Sequence, residues 1–193
     1  MEKQTILVIH PKDPTTDFIA PVYESLDATV IRDSPTSDEE LRHSIDSHDR
    51  VLIFGHGTPG GLCDLRDAIQ KMSRQKPFII DRSHTKLLRS KAHNSFFIWC
   101  HADQFVKRER LQGFYTGMFI SEEQEAKQYG VKATQADVDE SNQCFVECLK
   151  CCVTKADSSE IQHELVTGAY AELSKTNPVA AYNLERLYCR SQL

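Results

Sequence analysis

Long apolar runs, dense basic clusters and an export signal are all missing from this sequence. No stretch reaches the roughly 18 to 20 apolar residues that a membrane-spanning helix needs. The apolar run at residues 5–9 is too short for the core of a signal peptide, and no small-residue cleavage site follows it. We therefore expect no membrane partner and a protein that stays in the cytoplasm.

An excess of positive charge is also missing. The formal net charge is -5, and the longest basic cluster, Lys107-Arg108-Glu109-Arg110, is interrupted by an acidic residue. Binding to DNA or RNA depends on clustered Lys and Arg that neutralise phosphates. The composition therefore argues against a nucleic-acid partner, and we interpret the basic cluster as a solvated face of a helix.

Disulfide bonds are not expected, although the chain has seven cysteines. This number is odd and no export signal accompanies it, so reduced thiols in a reducing compartment are the default. Four of the cysteines, Cys144, Cys148, Cys151 and Cys152, recur at helical spacing. Structural zinc sites draw their ligands from separate turns, which favours an apolar helix stripe here over a zinc site. We expect neither a metal nor another cofactor.

The rest of the composition is that of an ordinary globular domain. Of 193 residues, 40% are hydrophobic and 26% are charged, and a chain of this length can bury a sizeable core. The sequence contains no internal repeat, low-complexity tract or clear linker. It therefore predicts a single domain over residues 1–193, with a helical C-terminal part from about residue 136.

Short apolar runs alternate with helical patterns along the chain. The predicted strands are residues 5–10, 28–32, 50–54, 78–80, 95–99 and 113–120. The predicted helices are residues 17–26, 38–48, 65–74, 121–129, 136–153, 158–175 and 179–189. This alternation is typical of a three-layer α/β/α sandwich with a mostly parallel sheet.

In such sheets, functional residues collect just beyond the carboxyl ends of the strands. This rule selects His10, which ends a predicted strand, and His56 and Cys100, which closely follow two others. A thiol beside an imidazole can act as a nucleophile, and the imidazole can protonate a leaving amine. A backbone N–H near Gly57 could stabilise an oxyanion. The alternative is structural, because free cysteines are often buried and a histidine can simply cap a carbonyl.

The motifs Phe54-Gly55-His56-Gly57 and Trp99-Cys100 resemble those of caspase-like peptidases, or clan CD, which include caspases, gingipain, clostripain, separase and the CHAT proteins. The resemblance covers about residues 5–121. It implies a caspase-like sandwich in which His56 is the catalytic histidine and Cys100 the nucleophile of peptide-bond hydrolysis through an acyl-enzyme. Caspases have a glycine-containing stretch around the nucleophile, whereas His101-Ala102-Asp103 follows it here, which favours a distant branch.

The same resemblance implies a primary specificity pocket lined by the strand that follows the nucleophile. Residues 114–121 are placed to form it, and we expect His10, Asp103, Ser121 and Glu122 to contribute. An acidic pocket would favour Lys or Arg before the scissile bond of a peptide or protein substrate. Alternatively, Glu122 and Glu123 begin a helix and interact with its dipole.

Two other functions remain open. The chain could be a caspase-like binding or regulatory module without turnover, because a fold does not guarantee an activity. It could also be a flavodoxin-like nucleotide-binding domain in which Gly57, Gly60 and Gly61 cradle phosphate. The glycines lack a Lys-Ser/Thr ending and match no phosphate-loop spacing, so this third hypothesis is the least favoured.

Overall fold

A six-stranded sheet forms the centre of the protein in its computed structural model, which describes residues 4–33, 37–63, 78–155 and 157–190. The described strands are β1 (Ile6–Ile9), β2 (Ala28–Ile31), β3 (Arg50–Phe54), β4 (Gly57–Thr58), β5 (Gly61–Cys63), β6 (Phe78–Ile80), β7 (Phe96–Ile98), β8 (Gly113–Thr116) and β9 (Leu187–Arg190). The main sheet has the order β2-β1-β3-β7-β8-β9, and β4, β5 and β6 form a small antiparallel sheet.

All neighbouring strands of the main sheet are parallel except β8 and β9, which are antiparallel. The described helices are α1 (Asp38–Asp46), α2 (Thr85–Leu88), α3 (Ala102–Glu109), α4 (Glu123–Gln128), α5 (Gln135–Lys155), α6 (Ser159–Leu173) and α7 (Pro178–Leu184), with 3-10 helices at Asp17–Val22 and Arg82–His84.

Both faces of the sheet are apolar. Successive side chains of a strand point to opposite sides, and buried apolar residues occupy both sides. In β3, Leu52 and Phe54 belong to one buried cluster, whereas Val51 and Ile53 belong to another. The first cluster includes residues of α5, α6 and α7, and the second includes residues of α1, α2 and α3. The protein is therefore a three-layer α/β/α sandwich, which confirms the predicted fold class.

Side-chain caps begin several helices. Ser37 Oγ accepts a hydrogen bond from the Glu40 N–H at 3.1 Å, as the sequence predicts for the start of α1. The start of α4 differs by one residue from the prediction, because Glu122 is its N-cap in place of Ser121. The reason is Glu125, whose Oε2 accepts from the N–H groups of both Ser121 and Glu122.

Two predicted elements are shorter than expected. The helix predicted over residues 17–26 is a 3-10 helix that ends at Val22, and Pro21, which has no N–H for an α-helical hydrogen bond, lies inside it. The strand predicted over residues 113–120 ends at Thr116, where its pairing with β9 ends. The helix predicted over residues 65–74 lies outside the described residues.

The last predicted helix is wrong in its second half. The helix ends at Leu184, the Arg186 N–H bonds to the Asn183 carbonyl oxygen at 2.9 Å, and the chain then enters β9. The C-terminal part is therefore not wholly helical, and Tyr188 lies on the edge strand of the sheet. Within the described residues, no helix combines the length and apolar character needed to cross a membrane.

Candidate active site

Two adjacent strands of the main sheet end at one cavity. β3 and β7 pair in parallel, with Phe54 aligned to Ile98. His56 and Cys100 each follow two residues later, so both lie just beyond the carboxyl end of the sheet. Both line a cavity of about 40 Å³, which has room for a few water molecules. The fold thus brings the two principal residues of the sequence analysis to the same cavity.

Apolar side chains and neutral polar groups line this cavity. The described lining residues are Thr16, Phe18, Ile19, Gly55, His56, Ile98, Trp99, Cys100, Thr116, Phe119, Ser121 and Phe145. None of these described residues carries a carboxylate. A neutral group therefore fits the cavity at lower desolvation cost than a charged one.

His56 is held by the segment that follows β1. Its Nε2 lies 2.6 Å from Thr15 Oγ1 and 3.8 Å from Asp13 Oδ2. Thr15 donates its hydroxyl hydrogen to Asp13 Oδ1 at 2.7 Å. Because a hydroxyl has one hydrogen, Thr15 Oγ1 must accept from the Nε2–H of His56. This hydrogen-bond network assigns the proton of the neutral ring to Nε2 and leaves the lone pair on Nδ1, as a general base requires.

The Cys100 thiol lies in desolvated surroundings. Its Sγ donates to the carbonyl oxygen of Phe119 at 3.8 Å. Burial, followed by the charge of Glu125, raises the pKa of Cys100 to about 12. At neutral pH the group is therefore a thiol, and it becomes a nucleophile only when a base removes its proton.

A tight backbone turn carries the chain from Cys100 into α3. His101 has a φ of 67° and a ψ of 23°, a left-handed conformation that costs a non-glycine residue about 1 to 2 kcal/mol. Its N–H donates to the Gly117 carbonyl oxygen at 3.2 Å. Because α3 begins at Ala102, Cys100 precedes the positive end of an eight-residue helix. That end favours negative charge on the sulfur or on a nearby carbonyl oxygen.

Gly57 packs against the strand that delivers Cys100. A Cβ at this position would lie 2.0 Å from Trp99 Cδ1, so the contact requires glycine. Gly57 is aligned with Leu62, and the Cys63 N–H bonds to the His56 carbonyl oxygen at 2.8 Å. In this register the Gly57 N–H points away from β5. Gly57 itself lies outside the described lining of the cavity.

The other glycines of this hairpin also have packing partners. A Cβ at Gly60 would lie 2.7 Å from Phe78 Cζ, and one at Gly61 would lie 1.9 Å from the Ile80 carbonyl oxygen. Each of these contacts requires a residue without a Cβ at its position. The hairpin glycines are therefore explained by packing, which does not favour the nucleotide-binding hypothesis.

His10 is fully buried and is not among the described lining residues of the cavity. Its Nδ1 is 2.7 Å from Tyr23 Oη, and its Nε2 is 3.1 Å from Thr16 Oγ1. Burial and the nearby Arg32 lower its pKa to about 4. His10 is thus a neutral, hydrogen-bonded core residue that supports Thr16, while Thr16 itself lines the cavity.

Of the remaining residues expected in the pocket, Ser121 lines the cavity. Asp103 and Glu122 are not among its described lining residues: Asp103 pairs with Lys107 at 3.3 Å on α3, and Glu122 caps α4. Glu125 is the acidic residue whose charge reaches Cys100, although its Oε2 accepts two N–H groups at the start of α4.

Asp13 and Thr15 are the functional candidates that the sequence analysis missed. They lie in Asp13-Pro14-Thr15-Thr16, four to seven residues after β1. β1 pairs directly with β3, so their side chains and His56 leave the same edge of the sheet. The available signal was a carboxylate and hydroxyls after a buried strand at that edge.

No group of three or more His, Cys, Asp or Glu side chains is arranged to bind a metal within the described residues. On α5, Cys152 is buried in the core, and Cys144 and Cys148 pack against it. These contacts are those of an apolar helix stripe.

Comparisons with protein-family models, with curated proteins and with solved structures found no match. The likeness to caspase-like peptidases therefore depends on the motifs Phe54-Gly55-His56-Gly57 and Trp99-Cys100.

Proposed function

We propose that the protein is a caspase-like cysteine endopeptidase, with Cys100 as nucleophile and His56 as general base. One observation carries the proposal: both side chains line a single cavity at the carboxyl ends of adjacent parallel strands. The hydrogen bond from His56 to Thr15 supports it, because it leaves Nδ1 ready to accept a proton. Peptides and proteins are the substrates.

The reaction begins when His56 Nδ1 takes the thiol proton and the sulfur of Cys100 attacks the carbonyl carbon of the scissile bond. As the C–N bond breaks, His56 returns the proton to the leaving amine, and a thioester remains on Cys100. Water then gives a proton to His56 and attacks the thioester. Release of the acid product returns this proton to the sulfur and regenerates the thiol.

The raised pKa of Cys100 favours proton transfer during the attack over a permanent thiolate–imidazolium pair. The thiol must first turn from the Phe119 carbonyl oxygen towards His56. Developing negative charge is then stabilised by the N-terminal end of α3, and the Gly57 N–H is a second donor for the oxyanion.

Cleavage after Lys or Arg remains part of the proposal, with Glu125 as the acidic residue whose charge acts on Cys100. The neutral lining of the cavity instead favours an apolar side chain before the scissile bond. We place the activity in a reducing compartment such as the cytoplasm, because all seven cysteines are free.

A non-catalytic binding module is the second candidate function. It is favoured by the thiol hydrogen bond to Phe119 and by the high pKa of Cys100, both of which suit an unreactive, buried cysteine. The cavity would then bind a peptide side chain without turnover.

Fluorogenic peptides with Lys, Arg, Leu or Ala before the scissile amide test the two functions. A peptidase should lose turnover by about 10³-fold or more in Cys100→Ala and in His56→Ala. Cys189→Ala is the matched control, because Cys189 is another half-buried free cysteine and lies on the edge strand β9; its turnover should not change. Turnover that persists in Cys100→Ala contradicts the proposal. A folded wild-type protein that neither cleaves any peptide nor reacts at Cys100 with a peptidyl acyloxymethyl ketone contradicts the peptidase function and favours the binding module.

A further inference from the structure

A basic depression lies where the C-terminal ends of α2 and α3 meet. The described residues that line it are Arg82, Arg89, Arg108, Glu109 and Arg110, and its volume is about 430 Å³. This volume is in the range of small-molecule sites. Four arginines and one glutamate give these residues a charge of +3, in a chain whose net charge is -5. The positive charge is therefore a local feature.

One buried carboxylate organises three of the arginines. Glu109 is only 4% exposed, and its Oε1 lies 2.7 Å from Arg108 Nε. Its Oε2 lies 3.8 Å from Arg89 Nη2 and 3.9 Å from Arg82 Nε. The Glu109 carbonyl oxygen also accepts from Arg89 Nε at 2.8 Å. The guanidinium groups are thus partly pre-oriented, while one carboxylate leaves most of their charge uncompensated.

Arg110 occupies a backbone position that is normally glycine. It is the C-cap residue of α3, with a φ of 56° and a ψ of 42°. Left-handed residues at helix ends are usually glycine, because other side chains cost conformational free energy there. The helix dipole accounts for basic residues in the last turn, but glycine would serve the backbone better than arginine at residue 110. Such strain is common where a side chain serves a ligand.

We propose that this depression binds an oligophosphate, a chain of two or three phosphate groups. Guanidinium groups pair with phosphate oxygens through two parallel hydrogen bonds, which suits arginine better than lysine for this ligand. A concave site with four converging arginines favours a compact, highly charged ligand over an extended one. The proposal does not depend on the peptidase activity.

Isothermal titration calorimetry with sodium tripolyphosphate tests the proposal on the full chain. We expect saturable binding to one site, with a dissociation constant raised about tenfold or more in Arg110→Gly. The thermal midpoint of the free Arg110→Gly variant should be equal or higher, because glycine suits the left-handed position. Lys175→Gln is the control, since it removes one positive charge from an exposed residue at the end of α6 and should leave the binding unchanged.

Glu109→Gln separates a built site from general electrostatic attraction. The variant removes one negative charge from the depression, so a diffuse basic surface should bind tripolyphosphate more tightly. A site that depends on the carboxylate to orient its arginines should bind more weakly, which supports the proposal. Adenosine triphosphate, added in parallel, shows whether a nucleotide can present the phosphate chain; binding of tripolyphosphate, with or without binding of adenosine triphosphate, fits the proposal. Absence of tripolyphosphate binding, equal binding by Arg110→Gly, tighter binding by Glu109→Gln, or equal affinity for hexaglutamate would overturn it.

Discussion

The Thr15 hydroxyl lies 2.6 Å from Nε2 of His56, and its own hydrogen is donated to Asp13. The two contacts together fix one tautomer of the imidazole. Nε2 carries the hydrogen, and Nδ1 is the nitrogen that can accept a proton. Asp13 therefore acts on His56 through Thr15 as well as through its own charge, 3.8 Å away.

Thr15→Val should lower kcat/KM of peptide hydrolysis by about 10- to 100-fold, because the ring loses the contact that orients it. The free energy of unfolding should change by no more than about 1 kcal/mol, since Thr15 is exposed. Thr29→Val is the matched control: Thr29 Oγ1 lies 2.9 Å from Nε2 of His48, away from the cavity. An equal loss in both variants would show that Thr15 has no special role.

Glu125→Gln should make the Cys100 thiol more reactive. Removing the carboxylate removes a like charge that raises the pKa of Cys100, so more thiolate forms at a given pH. We expect alkylation of Cys100 by iodoacetamide at pH 8 to become about two- to tenfold faster, as followed by mass spectrometry. Glu123→Gln, on the same helix and paired with Lys127, should leave the rate unchanged. A rate unaffected by Glu125→Gln would mean that burial alone controls the thiol.

His10 should make the protein less stable in mild acid. Its pKa is about 4 in the folded state, against 6.5 for an unperturbed histidine, so the unfolded chain binds a proton first as the pH falls. Stability is lost progressively from about pH 6.5 and most completely near pH 4, by about 3 kcal/mol in total. Urea unfolding between pH 7 and 4 measures this slope.

The slope should become shallower in His10→Gln, although that variant will also be less stable at pH 7 because it disturbs the contact with Tyr23. His43→Gln, at an exposed position of α1, should keep the wild-type slope. An unchanged slope in His10→Gln would assign the acid sensitivity to other groups.

Two glycine substitutions should change stability in opposite directions. Gly57→Ala should destabilise the protein by about 1 to 3 kcal/mol, because the added methyl group overlaps the Trp99 ring. Gly168→Ala should stabilise it by up to about 1 kcal/mol, since Gly168 lies within α6 and no atom lies within 4 Å of an added Cβ. Thermal and urea unfolding provide both values. Equal tolerance of the two substitutions would contradict the close packing described for Gly57.

The central strands of the main sheet were predictable because a strand that is buried on both faces is apolar at successive residues. β7 and the part of β3 after Arg50 are short, continuous apolar runs, and their ends placed His56 and Cys100 at one sheet edge. The position of β9 was not predictable in the same way. Leu187–Arg190 continues a helical pattern, and only its hydrogen bonds to β8, more than 70 residues earlier, make it a strand.

The candidate site was predictable only in part, for a related reason. Side chains at strand ends follow from sheet topology, whereas contacts between loops depend on exact side-chain geometry. The Thr15 contact with His56 joins residues 41 apart in sequence. The role of His10 was also hidden, because a histidine after a strand can face a cavity or, as here, a buried tyrosine.

Asn183, in α7, forms two hydrogen bonds with the segment that follows β8. Its Oδ1 accepts from the Ile120 N–H at 2.8 Å, and its Nδ2 donates to the Ile120 carbonyl oxygen at 2.9 Å. The adjacent residue is Phe119, whose carbonyl oxygen accepts a hydrogen bond from the Cys100 thiol. A fragment ending at Thr134 would therefore lack Asn183, and the segment that accepts the Cys100 thiol hydrogen bond would lose both of these contacts.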